Sequence, residues 1–425
     1  MKNLLHFVWL APLAIAAAAC GDDTADGTGG GSSGGGTTTS SASGTNTSAA
    51  TSTGSTSSSD GGGTAEGGGG SGTGGSGTGG FVPGEPLEAP AEEWSWVDFP
   101  ESRCINDTPT GIGVNLSASN DEDVVIFLMG GNACFNNLTC LITANTNGYD
   151  ETKFEDEITL VEGSDLFNRE ESPISDWSWA YVPYCTGDVH AGDNAGVEVG
   201  GVERTFRGFR NMSDYLARLV PTFPNAKRVM LMGVSAGGLG ATFNYDQVKR
   251  AFGDGVDVYL VDDSGPLMSE EYIPACLQGH FKEVWGLDNT LPAGCDACRA
   301  GETFTEEYFA YELEQFPDQR FAVISSTSDG TISSFLSFGD NECAGLNGAP
   351  GTYPAGKYEE GLIDMRDRIA ANANFALFMP EDNRHVWVDD SEGLSTVVGD
   401  SPTLLDWIGQ TINNDDAWQS WPAAE

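Results

Sequence analysis

Val229-Met230-Leu231-Met232-Gly233-Val234-Ser235-Ala236-Gly237-Gly238 is the stretch on which the reading of this chain turns. A short apolar run ends in Gly-x-Ser-x-Gly, and a helix-compatible segment follows. Strand, tight turn and helix in that order are the sequence form of a nucleophile elbow, a turn that holds a serine at strained backbone angles with its hydroxyl exposed. The glycines on either side remove Cβ atoms that would clash where strand and helix meet. In a chain with 57 glycines the motif by itself is not specific. Its surroundings give it weight.

Working outward, the same kind of apolar run recurs at 123–130, 179–183, 256–261, 321–324 and 373–379. Continuous apolar runs of this length fit strands buried on both faces of a parallel sheet. Helix-like segments lie between them. One spans 212–220, with Asn211 or Ser213 as its cap, and another spans 238–251. Alternating strand and helix predict an α/β domain with a mostly parallel sheet and helices on both faces. In such sheets ligands sit beyond the carboxyl ends of the strands, so chemistry is expected just after them.

A reactive serine needs a base and an acid to orient it. The chain has only four histidines, and His6 lies in the leader. His385, after the run at 373–379, is the expected base. His190 precedes Ser235 and reads as a structural or pocket-wall residue. His280 reads as a surface histidine in a loop between cysteines. Asp329, in Ser-Ser-Thr-Ser-Asp-Gly after 321–324, is the expected acid. Asp263, after 256–261, is the alternative, unless Asp-Ser-Gly-Pro is a turn whose carboxylate bonds backbone amides. Negative charge developing on a carbonyl oxygen also needs preplaced N–H donors. One is expected from Ala236, after the serine, and the other from the glycine-rich loop Met129-Gly130-Gly131-Asn132-Ala133-Cys134.

The two ends of the chain read differently. Residues 1–20 have the form of an export signal: Lys2, an apolar stretch too short to span a bilayer comfortably, then small residues before Cys20. Ala17-Ala18-Ala19-Cys20 resembles a lipobox, in which Cys20 becomes the lipidated first residue. An ordinary Ala-x-Ala cleavage is the alternative. Residues 21–80 are almost all Gly, Ser, Thr and Ala, which predicts a disordered tether with a root-mean-square span of roughly 40–45 Å. Residues 81–425 are long enough for one large domain. Without the five acids of 21–80 and Lys2, 58 acids face 18 bases, a net charge of −40. That field disfavours nucleic acid and other polyanions as partners. Eight cysteines remain after Cys20, an even number that in an exported domain predicts at least three disulfides, with pairing left open. Cys295-x-x-Cys298 has the spacing of half a zinc site, but no second pair or nearby histidine completes it, so no metal is expected.

Three blocks carry a resemblance: Phe127-Leu-Met-Gly-Gly-Asn-Ala-Cys134, Tyr181-Val-Pro-Tyr-Cys-Thr-Gly-Asp-Val-His190, and Arg207-Gly-Phe-Arg-Asn211 leading to Gly233-Val-Ser-Ala-Gly-Gly238. The chain is similar to the pectin acetylesterase and Notum carboxylesterase family, a branch of the α/β-hydrolases. The resemblance implies Ser235 as nucleophile, His385 as base, Asp329 as acid, and the amides of Gly131, Asn132 and Ala236 as the oxyanion hole, with no cofactor. Many relatives carry another glycine or a tryptophan where this chain has Asn132. The expected protein is an exported, lipid-anchored, monomeric serine carboxylesterase. Its expected substrate is a neutral O-acetylated polysaccharide, since −40 argues against a polyanion. A lipid or fatty-acyl deacylase is the second reading, and a non-catalytic glycan-binding surface protein the third.

Overall fold

The computed structural model describes residues 82–424. In chain order its strands are β1 (Ser95–Arg103), β2 (Pro109–Asn115), β3 (Asp123–Leu128), β4 (Ser178–Val182), β5 (Asn194–Val199), β6 (Val202–Phe206), β7 (Arg228–Val234), β8 (Asp257–Asp263), β9 (Phe321–Ile324) and β10 (Phe375–Phe378). Eight of them form one sheet in the order β1-β2-β4-β3-β7-β8-β9-β10, and β5 pairs with β6 in a separate hairpin. β2 runs antiparallel to β1 and to β4; from β4 to β10 every neighbouring pair is parallel. The six expected strands are the six strands of this parallel part.

Their continuous apolar runs have a direct cause. Side chains alternate across a strand, and here both faces are covered. Val124, Ile126, Leu128, Leu231 and Leu260 join one buried core, while Val125, Phe127, Met230, Met232 and Val261 join another on the opposite face. The helix before the serine strand is longer than expected, Gly208–Thr222, and neither Asn211 nor Ser213 caps it. Asn211 lies inside the helix and exchanges hydrogen bonds with the backbone of Arg103 (2.9 and 2.8 Å). The Gly208 amide is instead satisfied from a distance, by the Asp188 carboxylate at 2.8 Å. The helix after the serine runs Ala236–Phe252.

All eight domain cysteines are paired: Cys104–Cys185, Cys134–Cys140, Cys276–Cys343 and Cys295–Cys298. The Cys295-x-x-Cys298 motif therefore closes on itself. Cys20 and the segments expected to be an export leader and a tether lie outside the described residues.

Candidate active site

Ser235 sits at the turn between β7 and the helix Ala236–Phe252, with φ 57° and ψ −120°. For a residue with a side chain this is a sparsely populated conformation, which persists only where its surroundings over-determine it. Those surroundings need glycine. A Cβ at Gly233 would lie 2.0 Å from the carbonyl oxygen of Gly237, and one at Gly237 would lie 2.0 Å from that of Leu128. The Ser235 amide donates to the Asp263 carbonyl at 2.7 Å, which fixes the turn to β8.

Two other strand ends deliver the remaining groups. His385, beyond β10, places Nε2 at 2.8 Å from Ser235 Oγ. Its Nδ1 lies 2.7 Å from Asp329 Oδ2, beyond β9. The tautomer with its proton on Nδ1 matches both contacts, donating to the carboxylate oxygen and accepting the serine hydroxyl at Nε2. Asp329 is fully buried, and its other oxygen accepts the amides of Thr331 (2.9 Å) and Ile332 (3.0 Å) at the start of the helix Gly330–Leu336. The structure thus brings together Ser235, His385 and Asp329. Asp263 is turned elsewhere: its carboxylate accepts the amides of Trp387 and Val388 (2.7 and 2.9 Å), the use of a carboxylate foreseen for a turn. Burial pushes its carboxyl up to about 6. Neighbouring Asp262, also buried, is pushed up to about 8 and receives the Thr242 hydroxyl at 3.0 Å.

The glycine-rich loop after β3 packs against the elbow. A Cβ at Gly130 would lie 2.5 Å from the Val234 carbonyl, and one at Gly131 would lie 2.6 Å from Tyr184. Asn132 takes φ 67°, a conformation asparagine tolerates, and its side chain donates to the Ile142 carbonyl at 2.8 Å. Among the described residues the amides of Asn132 and Ala236 have no acceptor in the fold. The loop is held from behind. His190 Nε2 donates to the Met129 carbonyl (2.9 Å), and the Trp285 indole donates to that of Cys134 (2.8 Å). Burial lowers His190 to about 4, and its bond to Met129 fits the structural one of its two expected roles. His280 differs from its expectation. It lies on the helix Ala275–Trp285, half-buried, with Nε2 bonded to the Phe135 carbonyl at 2.7 Å.

Ser235, Ala236 and Asn132 are among the residues that line a cleft. Its walls are apolar: Phe135, Leu239, Phe243, Ile273, Phe281, Trp285, Phe304, Ile332 and Phe335 among them. These residues come from segments far apart in the chain, and no local motif marks them.

A pectinacetylesterase family model matches residues 98–331. The chain belongs to the pectinacetylesterase family. Curated relatives include the palmitoleoyl-protein carboxylesterase NOTUM of Schmidtea mediterranea, 33% identical over 167 residues, a stretch that is 36% of this chain and 30% of that protein. Another is the palmitoleoyl-protein carboxylesterase notum2 of Xenopus laevis, 29% identical over 154 residues, 33% of this chain and 30% of that protein. The chain therefore spans less than a third of the length of these relatives in the match. Among solved structures, the Wnt deacylase Notum from Drosophila superposes with a TM-score of 0.56 at 15% identity, covering 79% of this chain and 97% of that one. At that identity the likeness is one of fold. The pectinacetylesterase match includes the glycine-rich loop, Ser235 and Asp329, and ends before β10 and His385.

Proposed function

We propose that this pectinacetylesterase-family chain is a serine carboxylesterase working through Ser235, His385 and Asp329. The observation that carries the reading is the chain of contacts Ser235 Oγ–Nε2 His385 Nδ1–Oδ2 Asp329, at 2.8 and 2.7 Å, opening into an apolar cleft. His385 Nε2 takes the serine proton as Oγ attacks the ester carbonyl. The amides of Gly131, Asn132 and Ala236 are candidates to receive the oxyanion, the last from a helix N-terminus. The alcohol leaves with the proton from the imidazolium. Water, deprotonated at the same Nε2, then clears the acyl-enzyme and releases the carboxylic acid. Asp329 keeps the ring in the required tautomer and stabilises its charged form.

Two acyl classes are in view. The apolar walls favour a medium or long acyl chain, in line with the palmitoleoyl esters named for the curated relatives. The family match favours the second reading, an acetyl ester of a neutral polysaccharide. p-Nitrophenyl esters of increasing chain length separate them. Each buried methylene contributes about 0.8 kcal/mol, so on the long-acyl reading kcat/KM rises about fourfold per carbon until the cleft is full. A profile that peaks at acetate and falls thereafter would establish the acetyl reading.

The four disulfides suit an oxidising compartment, and export by the leader with lipidation at Cys20 is part of the same proposal. The mass of the mature N-terminus tests it: a diacylglycerol adduct on Cys20 is expected, and an unmodified terminus would refute the anchor. Monomeric behaviour is proposed with it and is read from the same preparation by light scattering.

A further inference from the structure

We propose that Asp263 and Ser264 are positioning residues for the catalytic histidine, forming a clamp that sets the segment carrying His385 in register with the nucleophile. The inference rests on the triad reading above. Three consecutive amides follow His385 in the chain, and this dipeptide accepts all three. Val386 N–H donates to Ser264 Oγ at 3.1 Å, and Trp387 and Val388 N–H donate to Asp263 Oδ2 at 2.7 and 2.9 Å. The Ser264 hydroxyl in turn donates to Asp263 Oδ1 at 2.9 Å, so one dipeptide forms a closed set of acceptors.

The same dipeptide is tied to the other two reacting segments. The Asp263 carbonyl accepts the Ser235 amide at 2.7 Å, and the Ser264 amide donates to the Ile324 carbonyl at 2.8 Å, at the end of the strand that leads to Asp329. Val234, Asp263 and Ile324 share one rank of the sheet. The clamp therefore bonds the backbones leading to nucleophile, acid and base to a common pair of residues.

The segment needs such a clamp. Val386 is β-branched and has φ 71°, a conformation such residues avoid. Its own internal bonds do not fix it to the sheet: Arg384 bonds Val386, Asp389 and Asp390, all within the segment. Ser326 and Ser164 take the carbonyls of Arg384 and Val388. The amides depend on Asp263 and Ser264. Both are buried, so no water replaces these acceptors at low cost.

The test uses the full-length protein, with active sites titrated to completion by a fluorophosphonate so that kcat refers to folded enzyme. Asp263→Leu keeps the branch at Cγ and removes the acceptor. It is expected to lower kcat on the order of 10²-fold, with KM within about twofold, because a misplaced base impairs chemistry more than binding. Asp263→Asn keeps an oxygen for both amides and should recover most of that loss. Ser264→Ala should fall between the two. Wild-type kcat in Ser264→Ala and in Asp263→Leu, or equal damage from Asn and Leu, would overturn the clamp. If Asp263→Leu does not fold, Ser264→Ala and Asp263→Asn decide. Retained activity in Ser235→Ala would instead refute the triad reading itself, whereas an inactive Ser235→Ala beside fully active Ser264→Ala and Asp263→Leu refutes the clamp alone.

Discussion

Three residues at or beside the Ser235–His385 contact hold unusual backbone angles. Ser235, Ser264 and Val386 all take positive φ (57°, 68° and 71°) with side chains attached, and hydrogen bonds connect their segments to one another. Each such conformation costs about 1–3 kcal/mol, so the fold keeps three of them around one hydroxyl–imidazole contact only by bonding them mutually. Asp329 belongs to the same logic, since one of its oxygens caps a helix and the other faces His385. An Asp329→Asn variant retains an oxygen for the cap while removing the acceptor that selects the Nδ1–H tautomer. Its kcat on an activated ester should fall by about 10⁴ with the fold intact. Ser235→Ala and His385→Ala should each leave near-background turnover, and double variants should lose little more, because the three act as a unit. A fluorophosphonate should label Ser235 in the native protein and nothing in Ser235→Ala. Asp263→Asn proving more damaging than Asp329→Asn would move the acid to β8. Absence of labelling, combined with binding of acetylated glycan, would favour the binding-protein reading.

Secondary-structure elements were legible where one physical constraint acted on consecutive residues. β3, β7 and β8 are covered on both faces, so each holds an unbroken apolar run, at 124–128, 229–232 and 258–261, and the run declares itself. β1 has exposed residues on one face and carries Pro100, and β2 opens on Pro109 and contains two glycines, so neither leaves such a run. The hairpin β5–β6 is mostly exposed or half-buried, mixes polar and apolar residues, and pairs only with itself. Gly279 interrupts the pattern of the helix Ala275–Trp285, so the sequence alone reads His280 as a loop residue. The contact of Ser235, His385 and Asp329 was legible because all three follow strand ends, where the fold class places ligands. Asp263 stands at an equivalent strand end, and only the packing of the segment after His385 distinguishes a clamp from a catalytic acid. The cleft walls were illegible for the opposite reason. Phe135, Phe243, Phe281, Phe304 and Phe335 each look like an ordinary core residue, and only the tertiary fold makes them one surface.

For the whole molecule, acidity has a consequence that the surface charge alone would not predict. Among the domain's many carboxylates, Asp262 and Glu312 are fully buried, and burial holds Asp262 at about 8 and Glu312 well above the usual carboxylate range. Asp262 is packed so tightly that a Cβ at Gly238 would come within 2.2 Å of its Oδ1. In the unfolded chain both acids ionise near their ordinary values, about 4. A raised folded-state pKa means that the folded protein binds more protons than the unfolded chain between those limits, so stability falls as pH rises towards 8. Two other groups act outside this window. Asp263, at about 6, completes most of its change below pH 6.5. His190, lowered to about 4, works in the opposite sense, but its contribution is fully present above about 6.5 and is lost only in acid. Between pH 6.5 and 9 the direction is therefore unopposed by these groups. Asp262 alone accounts for a loss of about 2 kcal/mol over that interval, a few degrees in melting temperature for a domain of this size. Melting curves at pH 6.5 and 9 in 0.15 M salt should show the decline, and the near-isosteric Asp262→Asn should flatten it, because an amide carries no proton to lose. Equal melting temperatures at the two pH values, or an unchanged slope in Asp262→Asn, would mean that Asp262 is hydrated and ionised in the folded protein.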